Sequence, residues 1–193
     1  MQKKGKQGRT RSAEVDRRIL RSAIRVMARE GYAGMSIEGV AAEAGVSRPT
    51  IYLRYPGKAE LATAALAAYR HRGRPEETGN TREDLIARLR HFRNGIERPF
   101  GMAMVGSVLA EEQSTPELLS LFRERLVEPR RKELRVVLEH ARERGELRED
   151  GDIEAAVNML VGSYYAHYLS GASFSDDWPE AIVETLLFGL RSQ

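Results

Sequence analysis

Apolar residues recur along this chain every three or four positions, in short runs that glycine and proline cut before any grows long. Val15, Ile19, Ala23, Val26 and Met27 set the pattern, and Leu85, Ile86, Leu89, Phe92 and Ile96 repeat it. Such spacing puts one apolar stripe on a helix. No stretch alternates with the period of two that a half-buried strand requires. The chain is therefore expected to be all-α, with about nine helices near 14–29, 37–43, 47–54, 58–70, 82–97, 100–111, 115–144, 152–169 and 177–190. Ser36 is placed to cap the second of these. Thr115 followed by Pro116 opens the seventh, in which Pro129 marks a kink or a break, and Gly145 closes it.

Composition removes several classes of function. The 193 residues include no cysteine, so disulfides, thiolate nucleophiles and cysteine-held metals are excluded. With 41% apolar and 31% charged residues, the chain can bury a core. No apolar run approaches the roughly 18 residues of a spanning helix. The basic start is followed by no hydrophobic signal core, so a cytoplasmic location without a membrane partner is expected. No HExxH, G-x-G-x-x-G or G-x-x-x-x-G-K-[ST] pattern occurs, so no enzyme, metal or cofactor is expected. His140 with Glu143 and Glu139 is the only grouping that suggests a chance metal site.

Charge is divided unevenly. Residues 1–72 carry 15 Lys and Arg against 6 Asp and Glu, whereas the other 121 residues carry 16 against 22. A basic first third on an acidic body suits a segment that faces a polyanion. Residues 1–11, with Lys3, Lys4, Lys6, Arg9 and Arg11, are expected to form a flexible basic arm that adds salt-dependent affinity.

The stretch SIEGVAAEAGVSRPTIYLRYPGK, residues 36–58, carries the function. Two short helices meet through Gly45-Val46-Ser47, with Ala41 and Ala42 small enough for close approach and Gly45 able to make the sharp turn. Val46 and Ile51 would fill the angle. The outer face is left to Ser47, Arg48, Thr50, Tyr52 and Arg54, groups that bond to base edges or phosphates. A solvated helical corner that docks a protein is the alternative, and it predicts no salt-dependent DNA affinity.

These residues, with Ile19, Leu20, Ala23, Gly31-Tyr32, Ser36, Ile37, Val40, Ala41, Ala44-Gly45-Val46-Ser47, Thr50-Ile51-Tyr52, Tyr55, Lys58 and Leu61, closely resemble the DNA-binding domain of the TetR family of bacterial transcriptional regulators. Gly39 departs from the pattern, standing where a polar residue is commoner, as does Tyr55-Pro56-Gly57. The resemblance implies a helix-turn-helix DNA-binding domain over 12–57, a connecting helix over 58–72 and a ligand-binding and dimerisation domain over 73–193. It implies that Ser47 to Tyr52 form the recognition helix, with Arg48, Pro49 and Thr50 at base edges. Ser36, Tyr52 and Lys58 would then meet phosphates, with Arg54 at a phosphate or in solvent.

A symmetric dimer reading two halves of a palindromic operator in double-stranded DNA follows from that resemblance. The small residues of 152–190 suit its interface: Ala155, Leu160, Gly162, Ser163, Ala166, Leu186, Leu187 and Gly189. The apolar, aromatic and methionine residues of the second domain suit either a core or a pocket: Phe92, Ile96, Phe100, Met102, Met104, Val105, Leu109, Phe122, Leu126, Tyr164, Tyr165 and Tyr168. Asn158 and His167 are candidate polar groups in that pocket. The resemblance implies a repressor that leaves its operator when a small, apolar or aromatic molecule binds. An activator of the same fold is the alternative.

Overall fold

The computed structural model describes residues 4–70, 73–97 and 101–190. It is all-α. Helix α1 spans Lys4–Gly34, α2 Ile37–Ala44, α3 Arg48–Tyr52, α4 Lys58–Arg70 and α5 Thr81–Glu97. Helix α6 spans Met102–Ala110, α7 Pro116–Phe122, α8 Glu128–Glu143, α9 Ile153–Leu169 and α10 Trp178–Leu190. These ten helices among the described residues are one more than expected, because the segment foreseen as one helix over 115–144 is divided. A wide π turn at Arg123–Val127 separates α7 from α8. Pro129 lies in the first turn of α8, where it has no N–H to give and its ring excludes an ordinary bond to the carbonyl four residues back. The preceding turn widens instead.

Helix α1 begins well before the helix expected from residue 14. Residues 4–11, expected as a flexible arm, are its first turns. Lys, Arg and Gln propagate a helix well, and no proline interrupts them. Residues 1–3, with Lys3, lie outside the described residues. The regular part of α1 ends at Gly31, whose φ of 70° and ψ of 178° lie outside the helical region.

The chain forms two compact units. The first joins residues 1–72 with 98–126, and the second joins 73–97 with 127–193. By packing, then, 98–126 sides with the N-terminal segment, not with the rest of 73–193. In the first unit α1 packs on α2, α4 and α6, and α7 packs on α4. Ile19, Val26, Met27, Val40, Ile51, Leu61 and Leu118 are its buried centre. In the second unit α5 lies against α8 and α10, and α9 against α8 and α10. Leu85, Leu89, Leu138, Val157, Leu160 and Val183 are wholly buried there. No helix among the described residues is long and apolar enough to cross a membrane.

Candidate nucleic-acid interface

Helices α2 and α3 form the expected corner. Ser36 caps α2 by accepting a bond from the Gly39 N–H at 3.0 Å. A Cβ at Gly39 would stand 3.1 Å from that hydroxyl oxygen, which gives the glycine a local reason. At the other end Gly45 takes the left-handed conformation, φ 61° and ψ 45°. The Val46 N–H reaches back to the Ala41 carbonyl at 3.0 Å, so the chain leaves α2 through a closed turn. Val46 packs half-buried against the core, and Ile51 is fully buried beneath α3. Of the two alanines expected at the close approach, Ala41 is inside and Ala42 is exposed; Ala44 takes the second inner place.

The outward side of α3 presents Ser47, Arg48, Pro49 and Tyr52, all exposed, with Thr50 half-buried. The Ser47 and Thr50 hydroxyls lie 2.8 Å apart. Ser47 occupies the cap position of α3, yet its side chain bonds to Thr50 and to no backbone N–H. Pro49 fits the first turn, where no N–H is needed. The Arg48 guanidinium is paired with Glu38 of α2, Nη2 to Oε1, at 2.9 Å. Leu53, 83% exposed, extends the same edge.

Arg54 and Lys58 turn toward the protein. Arg54 Nη1 donates to the Thr50 carbonyl at 2.9 Å, and its Nε lies 3.9 Å from Asp16. Asp16 also accepts the Tyr55 hydroxyl at 2.6 Å. Burial and that carboxylate push the Tyr55 hydroxyl well above its ordinary range. Lys58 Nζ donates to the Ala33 carbonyl at 2.9 Å and lies 4.4 Å from the centre of the Tyr32 ring. Burial lowers its pKa. The sequence pattern did not single out Glu38 or Asp16. Each lies far along the chain from the residue it holds, and no spacing rule links them.

The residues expected around an effector fall in both units. In the first unit Met104 and Leu126 are buried core residues, with Phe122 packed against that core; Met102 and Val105 are half-buried and Leu109 is exposed. Phe100 lies outside the described residues. In the second unit Phe92 and Tyr164 are buried edge to face, their centroids 5.2 Å apart, with Tyr165 beside both. Ile96 is buried nearby in sequence on α5. Burial pushes Tyr164 up to about 12. Phe174 stacks on Tyr164 at 4.8 Å, and Trp178 completes the cluster. Neither was foreseen, because both lie at or beyond the edges of the periodic segments. The indole Nε1 of Trp178 is buried and has no hydrogen-bond partner among the described residues. Half-buried His167 donates its Nε2–H to the Ser173 carbonyl at 3.1 Å. Asn158 is exposed and accepts from Arg131 at 2.6 Å, so it belongs to a surface ion network and not to a pocket. Tyr168 is exposed.

Of the residues expected at a dimer surface, Leu160 and Leu187 are buried in the chain's own core. Ala155, Gly162, Ser163 and Leu186 are half-buried, while Ala166 and Gly189 are exposed. Ala155, Ser163, Leu186 and Gly189 line an apolar groove of about 470 Å³ between α9 and α10, with Met159 and Ile182. Met159 is 62% exposed and Phe188 84% exposed; neither was anticipated. No group of three or more acidic or histidine side chains among the described residues could hold a metal ion.

Known proteins repeat this arrangement. Residues 19–65 match the family described as bacterial regulatory proteins, tetR family. Residues 75–186 match the tetracyclin repressor-like C-terminal domain. The uncharacterized HTH-type transcriptional regulator Rv1556 of Mycobacterium tuberculosis is 33% identical over 147 residues, covering 75% of this chain and 71% of that protein. The DNA-binding transcriptional repressor TetR of Mycobacteroides abscessus is 30% identical over 186 residues, 95% of each chain. The crystal structure of the TetR family transcription regulator SCO0332 superposes with a TM-score of 0.71 at 30% identity, over 93% of this chain and all of that one.

Proposed function

This chain belongs to the tetR family of bacterial regulatory proteins, and from that premise we propose that it is a repressor that binds a palindromic operator as a homodimer and releases it on binding a small molecule. Transcriptional regulation is the family's role. The observation that carries DNA reading is the outward side of α3, where Arg48, Pro49 and Tyr52 stand exposed on a helix anchored from beneath by Ile51. A helix of this kind enters the major groove with its N-terminal residues at base edges. In this proposal Arg48 meets a guanine and the Thr50 or Pro49 carbons meet a thymine methyl. Ser36, Ser47 and Tyr52 meet phosphates, and Lys58 joins them with the N–H groups that Ala33 leaves free. Arg54 shapes the end of α3 from within.

Repression rather than activation is favoured by the Mycobacteroides abscessus relative, which is named as a repressor and is alike along nearly its whole length. An apolar or aromatic effector is favoured by the ring cluster of Phe92, Tyr164, Tyr165, Phe174 and Trp178, whose indole N–H has no partner among the described residues. Dimerisation through α9 and α10 is favoured by the apolar groove that Met159 lines and by the exposed Phe188 on α10.

The test is selection by the purified protein from a random double-stranded DNA library at near-physiological salt. The expected result is a palindrome with two equal half-sites, bound with an affinity that falls steeply as salt rises. A folded protein that enriches no sequence, before and after any carried-over small molecule is removed by unfolding and refolding, overturns the proposal.

A further inference from the structure

The ion pair on the outer side of the corner is unusual in its placement. Arg48 opens α3, and Glu38 lies in the first turn of α2, ten residues earlier. Both side chains are more than half exposed, 57% and 56%, on the side of the corner that carries Pro49 and Tyr52. A carboxylate on a surface meant for a polyanion opposes binding, so its presence there needs a reason. The charge partner supplies one. A free arginine side chain on a surface has many rotamers and must lose them to meet a base. Here the Glu38 carboxylate attracts it as an ion pair, with Nη2 2.9 Å from Oε1. The guanidinium has five N–H groups, so enough remain to meet guanine O6 and N7 together.

We propose that Glu38 is a positioning residue for base recognition, acting through Arg48; this rests on the DNA-binding function proposed above. It sets the guanidinium over one base position and neutralises it elsewhere. On a DNA with guanine at that position, Arg48 makes two bonds to the base and remains paired with Glu38. On any other DNA the arginine is left neutralised by its partner and adds little attraction to phosphates. Glu38 therefore lowers affinity for wrong sequences more than for the right one, and specificity rises through repulsion as well as attraction.

The experiment compares the wild type with Glu38→Gln, Glu38→Asp, Arg48→Ala and the double variant Glu38→Gln/Arg48→Ala. Each is titrated onto the operator selected by the wild type, and onto the same duplex with its contacted G·C pairs replaced. For Glu38→Gln the ratio of the two affinities is expected to fall about tenfold, mainly because binding to the replaced duplex strengthens. The slope of log affinity against log salt on that duplex is expected to steepen by about one unit. Glu38→Asp should keep most of the discrimination, and in the Arg48→Ala background Glu38→Gln should leave the ratio unchanged. Circular dichroism verifies folding, and Glu38→Ala is read in the same way if the glutamine variant does not fold. An unchanged ratio in Glu38→Gln, or an equal fall without Arg48, overturns the inference. A wild type that prefers no sequence overturns the DNA-binding function itself, which a discriminating wild type with an indifferent Glu38→Gln does not.

Discussion

Lys58 shows how one side chain can serve two ends. From the sequence it is a cation at the start of α4, well placed for a phosphate. In the structure its ammonium is bonded to the Ala33 carbonyl and stands over the Tyr32 ring, so it ties the start of α4 to the end of α1. An ammonium has three N–H groups, and one bond to a carbonyl leaves two for a phosphate. Lys58→Ala should therefore lower unfolding free energy by about 1–2 kcal/mol in a urea titration, from a charged hydrogen bond and a cation–π contact. It should also reduce the salt slope of operator binding by about one unit. Full stability in that variant would show that the clamp contributes nothing. Gly45 poses a cleaner question. Its φ is positive, and nothing lies within 4 Å of where a Cβ would be. Gly45→Ala thus isolates backbone strain from any clash, and should cost about 1–2 kcal/mol in the same titration. A loss well beyond that would mean that the turn moves and carries α3 with it.

At the scale of elements, the sequence revealed what is local and hid what joins distant segments. The corner of α2 and α3 was legible because Ser36, Gly45 and Pro49 each act on the backbone within a few residues. The long helix was legible as to extent but not as to its π turn, since Pro129 was consistent with either a kink or a break. The extra turns of α1 were hidden by glycines and like charges, which read as a loose arm. Polar links such as the ion pair of Glu38 with Arg48, or the bond of Asp16 to Tyr55 and its pairing with Arg54, leave no periodic trace. Another such link fastens α9 to α8. Glu154, in the first turn of α9, is held by Arg131 at 2.8 Å and by Arg135. These guanidinium groups lower its pKa from an ordinary 4.5 to about 2. A lowered carboxylate contributes stability above its unfolded value and loses it as pH falls through the folded one. The contribution of Glu154 should be complete above about pH 4.5 and vanish toward pH 2. Melting temperatures of the wild type and Glu154→Gln should accordingly differ at pH 6 and converge on acidification. A gap that is constant down to pH 2 would assign the difference to packing and not to charge.

For the molecule as a whole, the decisive question is what covers the outer sides of α9 and α10. A five-residue helix reads few bases, and two copies at a fixed separation are needed to make a selective operator. Four of the seven large apolar side chains exposed among the described residues lie on these two helices: Met159, Tyr168, Leu169 and Phe188. Of these, Met159 stands on the apolar groove between the two helices, and an apolar surface of this kind suits burial against a partner. The small residues Ala155, Ser163 and Gly189 along the groove allow a second helix pair to approach closely. A charge placed there separates folding from assembly, because Met159 is not part of the chain's own core. Met159→Glu should leave helical content and the urea unfolding of a dilute monomer within about 0.5 kcal/mol of the wild type, as for a surface substitution. In sedimentation the same variant should run as a monomer where the wild type runs as a dimer. Its affinity for the full palindrome should drop to that for a single half-site, since the second half-site is no longer delivered by the same particle. A Met159→Glu protein that remains dimeric and binds the full operator undiminished would move the interface elsewhere on the second unit.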